Sequence, residues 1–206
     1  MAITTKKVLF MREVYRQLIH MVFGILTAFS VRYFGKDIIY PLFILTLVGI
    51  FLYFYLKNHH IPIISELLRL CGRKNEYGKG AVLFAVGLLI TMILIENIDV
   101  VFYAILVFSI SDALATLVGV RGKIKILGRK TLEGFLAFFI SAVLILYIPY
   151  GICGIFVAFV GALVELISRK IKIDDNLILP LFLAFILNIC PYMLLSYHIQ
   201  TFCSTP

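Results

Sequence analysis

The sequence predicts an all-α polytopic integral membrane protein with about seven transmembrane helices. Of its 206 residues, 62% are hydrophobic and 15% are charged, against roughly 45–50% and about 25% in ordinary globular domains. A compact soluble domain of this length has too little interior to bury so many apolar side chains. The apolar residues also form continuous runs rather than an alternating pattern, which indicates spanning helices and not a β-barrel.

Seven apolar stretches approach or reach the roughly 20 residues that a helix needs to cross a bilayer. They lie at 18–34, 38–56, 80–95, 99–119, 132–150, 152–168 and 177–196. No internal repeat, low-complexity segment or linker interrupts them. Residues 1–206 are therefore expected to form a single transmembrane domain.

The basic residues predict the orientation. With a cytoplasmic N-terminus, all but two of the 19 Lys and Arg lie on the cytoplasmic side, as the positive-inside rule requires. Seven spans then put the C-terminus outside, and the cytoplasmic loops are about 57–79, 120–131 and 169–176. The first of these loops is expected to hold a helix lying on the membrane surface. The net charge of +8 is explained by these loops and calls for no nucleic acid partner.

Which cellular membrane holds the protein depends on the organism that it comes from. We expect the plasma membrane in a prokaryote and the endoplasmic reticulum or another internal membrane in a eukaryote. The four cysteines, at positions 71, 153, 190 and 203, show no metal-ligand or redox spacing. They are expected to be small apolar fillers.

An aspartate within the fourth apolar stretch predicts a functional site. Asp112 lies about seven residues before the inner end of this stretch, on the order of 10 Å from the boundary at 1.5 Å per residue. Ser109, Asp112, Thr116 and Gly119 share one helix face. A helix–helix contact accounts for the small residues. It does not account for an aspartate, because a charge inside a membrane is expensive.

Three further ionisable residues fall in the same half of the membrane. Glu165 lies near the inner end of the sixth stretch, Glu133 opens the fifth, and His20 lies just inside the first. The outer half contributes acids only from its loops. This clustering predicts one site at the cytoplasmic face, although His20 alone is also typical of a polar tip in a wet interfacial layer.

The loop 120–131 packs five cations into ten residues and then leads into a helix. A helix N-terminus suits phosphate, and Gly119, Gly122 and Gly128 let the backbone approach a ligand closely. The alternative is a loop that sets topology and binds lipid head groups. A Walker A motif is absent from the sequence.

The segment Asp174-Asp175-Asn176 precedes the last apolar stretch. Its carboxylate and amide oxygens are ligands appropriate to Mg²⁺. A polar turn with an N-cap for the last helix is the alternative, and the two are compatible if one residue caps and another binds metal. Cations, carboxylates and a membrane together are the parts that phosphoryl transfer needs. The residues alone therefore predict a cytoplasmic-face site for a phosphorylated, Mg²⁺-bound ligand and a lipid.

Four motifs in a fixed order resemble those of the dolichol kinase and phytol kinase family, the CTP-dependent polyprenol and diacylglycerol kinases. They span residues 13–180. The motifs are Glu13-x-x-Arg16-Gln17-x-x-His20-x-x-x-Gly24; Asn75-Glu76-x-x-x-Gly80; Ser111-Asp112-Ala113-x-Ala115-x-x-x-Gly119-x-x-Gly122-Lys123 with Lys130-Thr131-x-Glu133-Gly134; and Glu165-Leu-Ile-Ser168 with Asp174-Asp175-Asn176-Leu177-x-x-Pro180. One departure is Ser111, where the family commonly has glycine.

The resemblance implies transfer of the γ-phosphate of CTP to the hydroxyl of a lipid alcohol, which would be dolichol, another polyprenol, phytol or diacylglycerol. It implies that Asp112 helps to hold Mg²⁺ or the triphosphate, with Asp174 and Asp175 as metal ligands and Asn176 as a polar orienter. Glu133 and Glu165 would complete the acidic shell or orient Lys130. The implied nucleotide-binding residues are Gly119, Gly122, Lys123, Arg129, Lys130 and Thr131.

Two other functions stay open. The phosphatidate cytidylyltransferases share the third motif and also use CTP, but their downstream signature of a Lys-Asp run followed by His-Gly-Gly and Asp-Arg is absent from this sequence. A small ion-coupled transporter using Asp112, Glu165 and His20 is the second alternative. It predicts polar residues through both leaflets, and the outer half lacks them. A homo-oligomer is compatible with every one of these functions.

Overall fold

Helices make up most of the described part of the chain. The computed structural model describes residues 2–62, 66, 78–128, 130–168 and 174–190, with side chains from residue 10 onward. The elements in chain order are α1 (Ala2–Phe34), a 3-10 turn (Gly35–Ile38), α2 (Ile39–Asn58), α3 (Lys79–Leu94), α4 (Ile98–Gly119), β1 (Lys125–Leu127), β2 (Lys130–Thr131), α5 (Leu132–Ser168) and α6 (Asp175–Ile189). The expected surface helix in 57–79 lies largely outside the described residues.

Three of the described segments are long and apolar enough to cross a membrane. They are Phe10–Asn58, Ile98–Gly119 and Leu132–Ser168. Helices α3 and α6 are apolar but shorter, at 16 and 15 residues. The all-α prediction is confirmed, and these segments make the chain a membrane protein.

Helix α5 reverses direction at Gly151. This glycine has φ +54°, a left-handed conformation that side chains disfavour. The rings of Phe139 and Phe159, on either side of the turn, then meet edge to face with centroids 6.1 Å apart. A Cβ atom at Gly154 would lie 2.4 Å from the carbonyl oxygen of Leu146. The two halves, 132–150 and 152–168, therefore pack against each other as a hairpin.

Helix α4 is the central helix of the fold. It packs against α1 where Gly24 meets Ser109, since a Cβ at Gly24 would lie 1.7 Å from the Ser109 Oγ. It packs against α5 at Gly134, where a Cβ would lie 2.8 Å from the carbonyl oxygen of Ala115. Small residues permit such close approaches between helices in a membrane. Part of the small-residue stripe on α4 thus has a packing role.

Polar groups at the N-terminal end of α4 contact one another and α1. The Asn97 side chain caps this helix by accepting hydrogen bonds from the backbone N–H groups of Asp99 and Val100, at 3.0 and 3.4 Å. The Asp99 carboxylate forms an ion pair with Arg32 of α1. The Arg32–Asp99 pair therefore joins the C-terminal end of α1 to the N-terminal end of α4.

The structure corrects the interpretation of two cysteines. Cys153, just after the Gly151 turn, and Cys190, at the end of α6, form a disulfide with Cα atoms 6.2 Å apart. The expectation of apolar fillers is wrong for this pair, because the packing of α6 against the second half of α5 brings together residues separated by 37 positions. Cys71 and Cys203 lie outside the described residues.

Candidate functional site

A cavity of about 680 Å³ lies between α1, α2 and α3, and α4 and the start of α6 complete its wall. Most of the lining is apolar and comes from the first three helices. Most of the polar lining residues gather at one end, and these are Arg16, Gln17, His20, Lys79, Asp112, Thr116 and Asp174 to Asn176. The lining also includes Thr27, Thr46 and Tyr53. The cavity thus joins an apolar groove to a polar end.

Asp112 is a buried carboxylate at this polar end. Its side chain is 7% exposed, and its Oδ2 lies 3.9 Å from the Nε2 of His20. Within the described residues its Oδ1 has no hydrogen-bond partner. A buried polar atom without a partner is costly, and in a folded protein it often marks a binding or catalytic site. Asp112 is therefore suited to hold something that enters the cavity.

His20 stands where the polar end meets the apolar groove. Its ring packs edge-on against Phe84 and Phe108, with centroids 4.5 and 5.0 Å away. Its Nε2 is buried and has no hydrogen-bond partner in the described part of the chain. The two aromatic rings fix the orientation of the imidazole toward Asp112.

Lys130 connects three elements that are distant in sequence. Its ammonium group forms an ion pair with Glu165, in the second half of α5, and lies 3.6 Å from the Asp175 Oδ2, in the first turn of α6. The Lys130 and Glu165 side chains are 12% and 3% exposed. The carboxylate of Asp112 lies within electrostatic reach of all three groups. Four of the predicted site residues are thus brought together.

Glu133 has a different position, in the first turn of α5, where it contacts the basic loop. Its Oε1 accepts hydrogen bonds from the backbone N–H groups of Lys123 and Ile124, at 2.7 and 3.3 Å. Among the described residues it makes no ion pair with Lys130. Glu133 therefore holds the loop backbone, and the partners of Lys130 are Glu165 and Asp175.

Thr131 joins the two ends of the basic loop through its hydroxyl group. Its hydroxyl donates to the carbonyl oxygen of Gly119 and accepts from the backbone N–H of Gly134, both at 3.3 Å. Gly122 fits beneath it, since a Cβ there would lie 2.3 Å from the Thr131 Oγ1 and 2.7 Å from the Glu133 Oε2. The strands β1 and β2 pair antiparallel beside this contact. Thr131, Glu133 and Gly122 thus hold the basic loop against the start of α5. We call these three residues the clamp.

Three cations of this loop, Arg121, Lys123 and Lys125, are exposed. The side chains of Lys123 and Lys125 face the surface, and the Arg121 guanidinium lies over the ring of Phe10, 4.3 Å from its centroid. Arg129 lies outside the described residues. Exposed cations beside a helix N-terminus suit a phosphate ligand.

The two adjacent aspartates at the start of α6 have separate roles. Asp174 caps the helix, because its Oδ1 accepts a hydrogen bond from the backbone N–H of Asn176 at 3.2 Å. Asp175 is left to face Lys130. Asn176 packs against α3, where a Cβ at Gly87 would lie 2.4 Å from its carbonyl oxygen. The predicted N-cap is confirmed for Asp174.

The carboxylate oxygens at the polar end are of the kind that Mg²⁺ prefers as ligands. Within the described ranges no three His, Cys, Asp or Glu side chains are grouped closely enough to hold a metal by themselves. Mg²⁺ commonly binds through one or two carboxylates, with phosphate oxygens and water completing its shell. Asp112, with its free Oδ1, and Asp175 are the two that meet this requirement, since one Asp174 oxygen is engaged in the cap.

Arg16 is a site residue that the analysis of single residues did not select. It lines the polar end, forms an ion pair with Glu13 one turn earlier, and keeps a buried Nε without a hydrogen-bond partner in the described part of the chain. The spacing of Glu13, Arg16 and His20 on one face of α1 is the signal that identifies it.

Comparison with known proteins places the chain in a family. It is 59% identical over 179 residues to an uncharacterized protein of Methanocaldococcus jannaschii, and the match covers 86% of this chain and 94% of that protein. It is 31% identical over 139 residues to an uncharacterized protein of Rickettsia prowazekii, with coverage of 63% and 68%. No protein-family profile and no solved structure matches the chain. The chain therefore belongs to the same family as these archaeal and bacterial proteins.

Proposed function

We propose that the protein is a CTP-dependent lipid-alcohol kinase of the dolichol kinase and phytol kinase type. The observation that carries this proposal is the polar end of the cavity. There, a buried Asp112 with an unpartnered Oδ1 among the described residues lies within electrostatic reach of Lys130, which is held between Glu165 and Asp175. The rest of the same cavity is mostly apolar. Phosphate-handling groups at the end of an apolar groove suit a reaction between a nucleotide and a lipid.

The basic loop is the proposed binding site for the triphosphate of CTP. The clamp formed by Thr131, Glu133 and Gly122 fixes the backbone of the basic loop at the N-terminus of α5. Lys123 adds an exposed positive charge, and Lys130 adds a charge that is already oriented by its two acidic partners. Cations fixed around the phosphates stabilise the charge that spreads over the transferred group in the transition state.

Asp112 and Asp175 are the proposed ligands of Mg²⁺. When bound, this ion supplies charge neutralisation on the phosphate oxygens. The acceptor hydroxyl then lies near His20, between Asp112 and the apolar wall. Its oxygen forms the new bond to the γ-phosphorus, the bond from that phosphorus to the bridging oxygen of CDP breaks, and the hydroxyl proton passes to a carboxylate of the cluster or to solvent.

The proposed topology has seven crossings with the basic loops in the cytoplasm. The 3-10 turn at Gly35–Ile38 and the reversal at Gly151 supply two of the outer connections. The disulfide lies at the same end of the α5 hairpin as this reversal, and an exposed cell surface is a compartment in which disulfides persist. The nucleotide would therefore be drawn from the cytoplasm.

The decisive experiment uses purified protein in detergent with Mg²⁺, a mixed pool of lipid alcohols and CTP labelled at either the α- or the γ-phosphate. The kinase predicts that label enters the lipid extract from the γ-position alone. Label from the α-position with phosphatidic acid present would identify a cytidylyltransferase. Failure of CTP, ATP and GTP to label any lipid would refute transfer and favour the transporter alternative. Asp112→Asn is the matched inactive control.

A further inference from the structure

The apolar part of the cavity is a groove of defined position. Its walls are formed by Phe23 of α1, by Leu45, Gly49 and Leu52 of α2, and by Ala85 of α3. We call these five residues and the space between them the tail groove. The cavity lining on α1 extends from Arg16 to Thr27, which is about 16 Å along a helix axis. The groove thus begins at the polar end and runs toward the middle of the proposed spans.

The tail groove is open on one side. Phe23 is 50% exposed, and Leu45 and its neighbour Val48 are each 47% exposed, although all three line the cavity. In a membrane protein, apolar side chains exposed at this depth face hydrocarbon rather than water. A lipid could therefore pass sideways from the bilayer into the groove without crossing a polar surface.

Gly49 leaves room in the wall that α2 forms. A Cβ atom at this position would meet only the Val82 side chain among the described residues, at an ordinary contact distance of 3.6 Å. The groove therefore has space where this glycine lies. A larger side chain at position 49 would extend into the groove.

The charges at the polar end indicate the head group. Among the described residues, three aspartates line it, Asp112, Asp174 and Asp175, against two cations, Arg16 and Lys79. Arg16 is already paired with Glu13. An uncharged hydroxyl can donate a hydrogen bond to the Asp112 Oδ1, which has no partner among the described residues.

From these observations we infer that the tail groove binds the hydrocarbon chain of a lipid alcohol, with the hydroxyl at His20 and Asp112, and that Gly49 determines how much chain it accepts. The reaction at the hydroxyl rests on the proposed function. The binding of the alcohol does not, because the groove and its polar end need no nucleotide to accommodate it.

The test is photo-crosslinking without nucleotide. The full-length protein in detergent is irradiated with a diterpenoid alcohol that carries a diazirine at the end of its chain, and the labelled peptides are identified by mass spectrometry. We expect label on α2 and α3, competition by the unlabelled alcohol, and little competition by the same hydrocarbon without its hydroxyl. Label that spreads over outward-facing residues, or that the hydrocarbon displaces equally well, would overturn the inference.

Two variants that fill the groove test the role of its walls. Gly49→Leu should reduce labelling by roughly tenfold, the equivalent of about 1.4 kcal/mol, and Leu45→Trp should reduce it similarly from the open side. Leu47→Phe is the matched control, because Leu47 is 50% exposed and does not line the cavity. Gel filtration and thermal unfolding show which variants fold. Labelling of both folded variants at the wild-type level would refute a tail site here.

The outcome for the groove is separable from that for the kinase. Labelling on α2 and α3 that Gly49→Leu removes, together with no transfer from CTP, would support the lipid site and refute the kinase. Transfer from CTP that Gly49→Leu and Leu45→Trp leave unchanged for long-chain alcohols, with label elsewhere, would refute the groove and support the kinase.

Discussion

The ammonium group of Lys130 forms a buried ion pair with the carboxylate of Glu165, and this contact joins the start of the α5 hairpin to its end. Asp175 approaches the same ammonium group from α6 at 3.6 Å. The basic loop is thereby tied to the carboxylates that face the cavity. We therefore expect the pair to affect both the stability of the fold and the transfer of phosphate, and mutations can separate these two effects.

Removal of one member of this pair should destabilise the protein and abolish transfer. Lys130→Met leaves the buried Glu165 carboxylate without its cation, and breaking a buried pair in this way costs about 3–5 kcal/mol. The double variant Lys130→Met with Glu165→Gln should recover most of that free energy of unfolding and still fail to transfer phosphate. Thermal unfolding and the γ-label assay measure the two effects. A double variant as unstable as the single one, or one that is active, would contradict this prediction.

Asp112→Asn should separate activity from stability. The substitution keeps the shape of the side chain and removes a buried charge, so the free energy of unfolding should be unchanged or higher. Transfer from CTP should fall by about a hundredfold or more, as expected when a group that stabilises transition-state charge is lost. Ser109→Ala is the control, because Ser109 lies on the same face of α4 but packs against Gly24. Equal loss of activity in both variants would indicate a packing defect and not a site.

Gly122→Ala should open the clamp of the basic loop. The new Cβ would lie 2.3 Å from the Thr131 Oγ1 and 2.7 Å from the Glu133 Oε2, and overpacking of this kind typically costs about 1–3 kcal/mol. We expect the KM for CTP to rise by roughly tenfold, the equivalent of about 1.4 kcal/mol, since loop geometry and not the acidic cluster is disturbed. Leu47→Ala is the control for CTP, because Leu47 is 50% exposed and does not line the cavity. An unchanged KM would show that the nucleotide does not use this loop.

Loss of the disulfide should reduce stability and leave the phosphate chemistry intact. Closing a loop of 37 residues contributes about 4 kcal/mol in the chain-entropy estimate. Cys153→Ser and Cys190→Ser should each lower the unfolding temperature by the same amount as reduction of the wild-type protein. Cys153 lies twelve residues from Glu165 along α5, about 18 Å, so kcat should change little.

The same disulfide tests the orientation of the chain. In intact cells or right-side-out vesicles, a membrane-impermeant thiol reagent should label Cys153 and Cys190 only after reduction from the outside. A cysteine introduced at Lys125, in the exposed β1 strand, is the control and should react only after the membrane is permeabilised. The reverse pattern would place the basic loops outside and would contradict the proposed source of CTP.

The sequence by itself determined the helices and the kinds of side chain at the site. The composition and the continuous apolar runs require helices in a membrane. Lipid offers the backbone no hydrogen-bond partners, so the N–H and C=O groups must bond to each other within the helix. The rarity of ionisable residues inside apolar runs was sufficient to select Asp112 and Glu165. The cap by Asp174 was also readable, since its hydrogen bond reaches only two residues along the chain.

Only the tertiary structure decided which of these residues meet. Helix packing determines that Lys130 pairs with Glu165 and Asp175 and not with Glu133. It also determines the disulfide from Cys153 to Cys190 and the cavity between α1, α2 and α3. Local propensity acts over a few residues, whereas these contacts join positions 35 or more apart or on separate helices. Close approaches at Gly24, Gly134 and Gly154 set that packing, and a sequence pattern does not show which neighbour each glycine will meet.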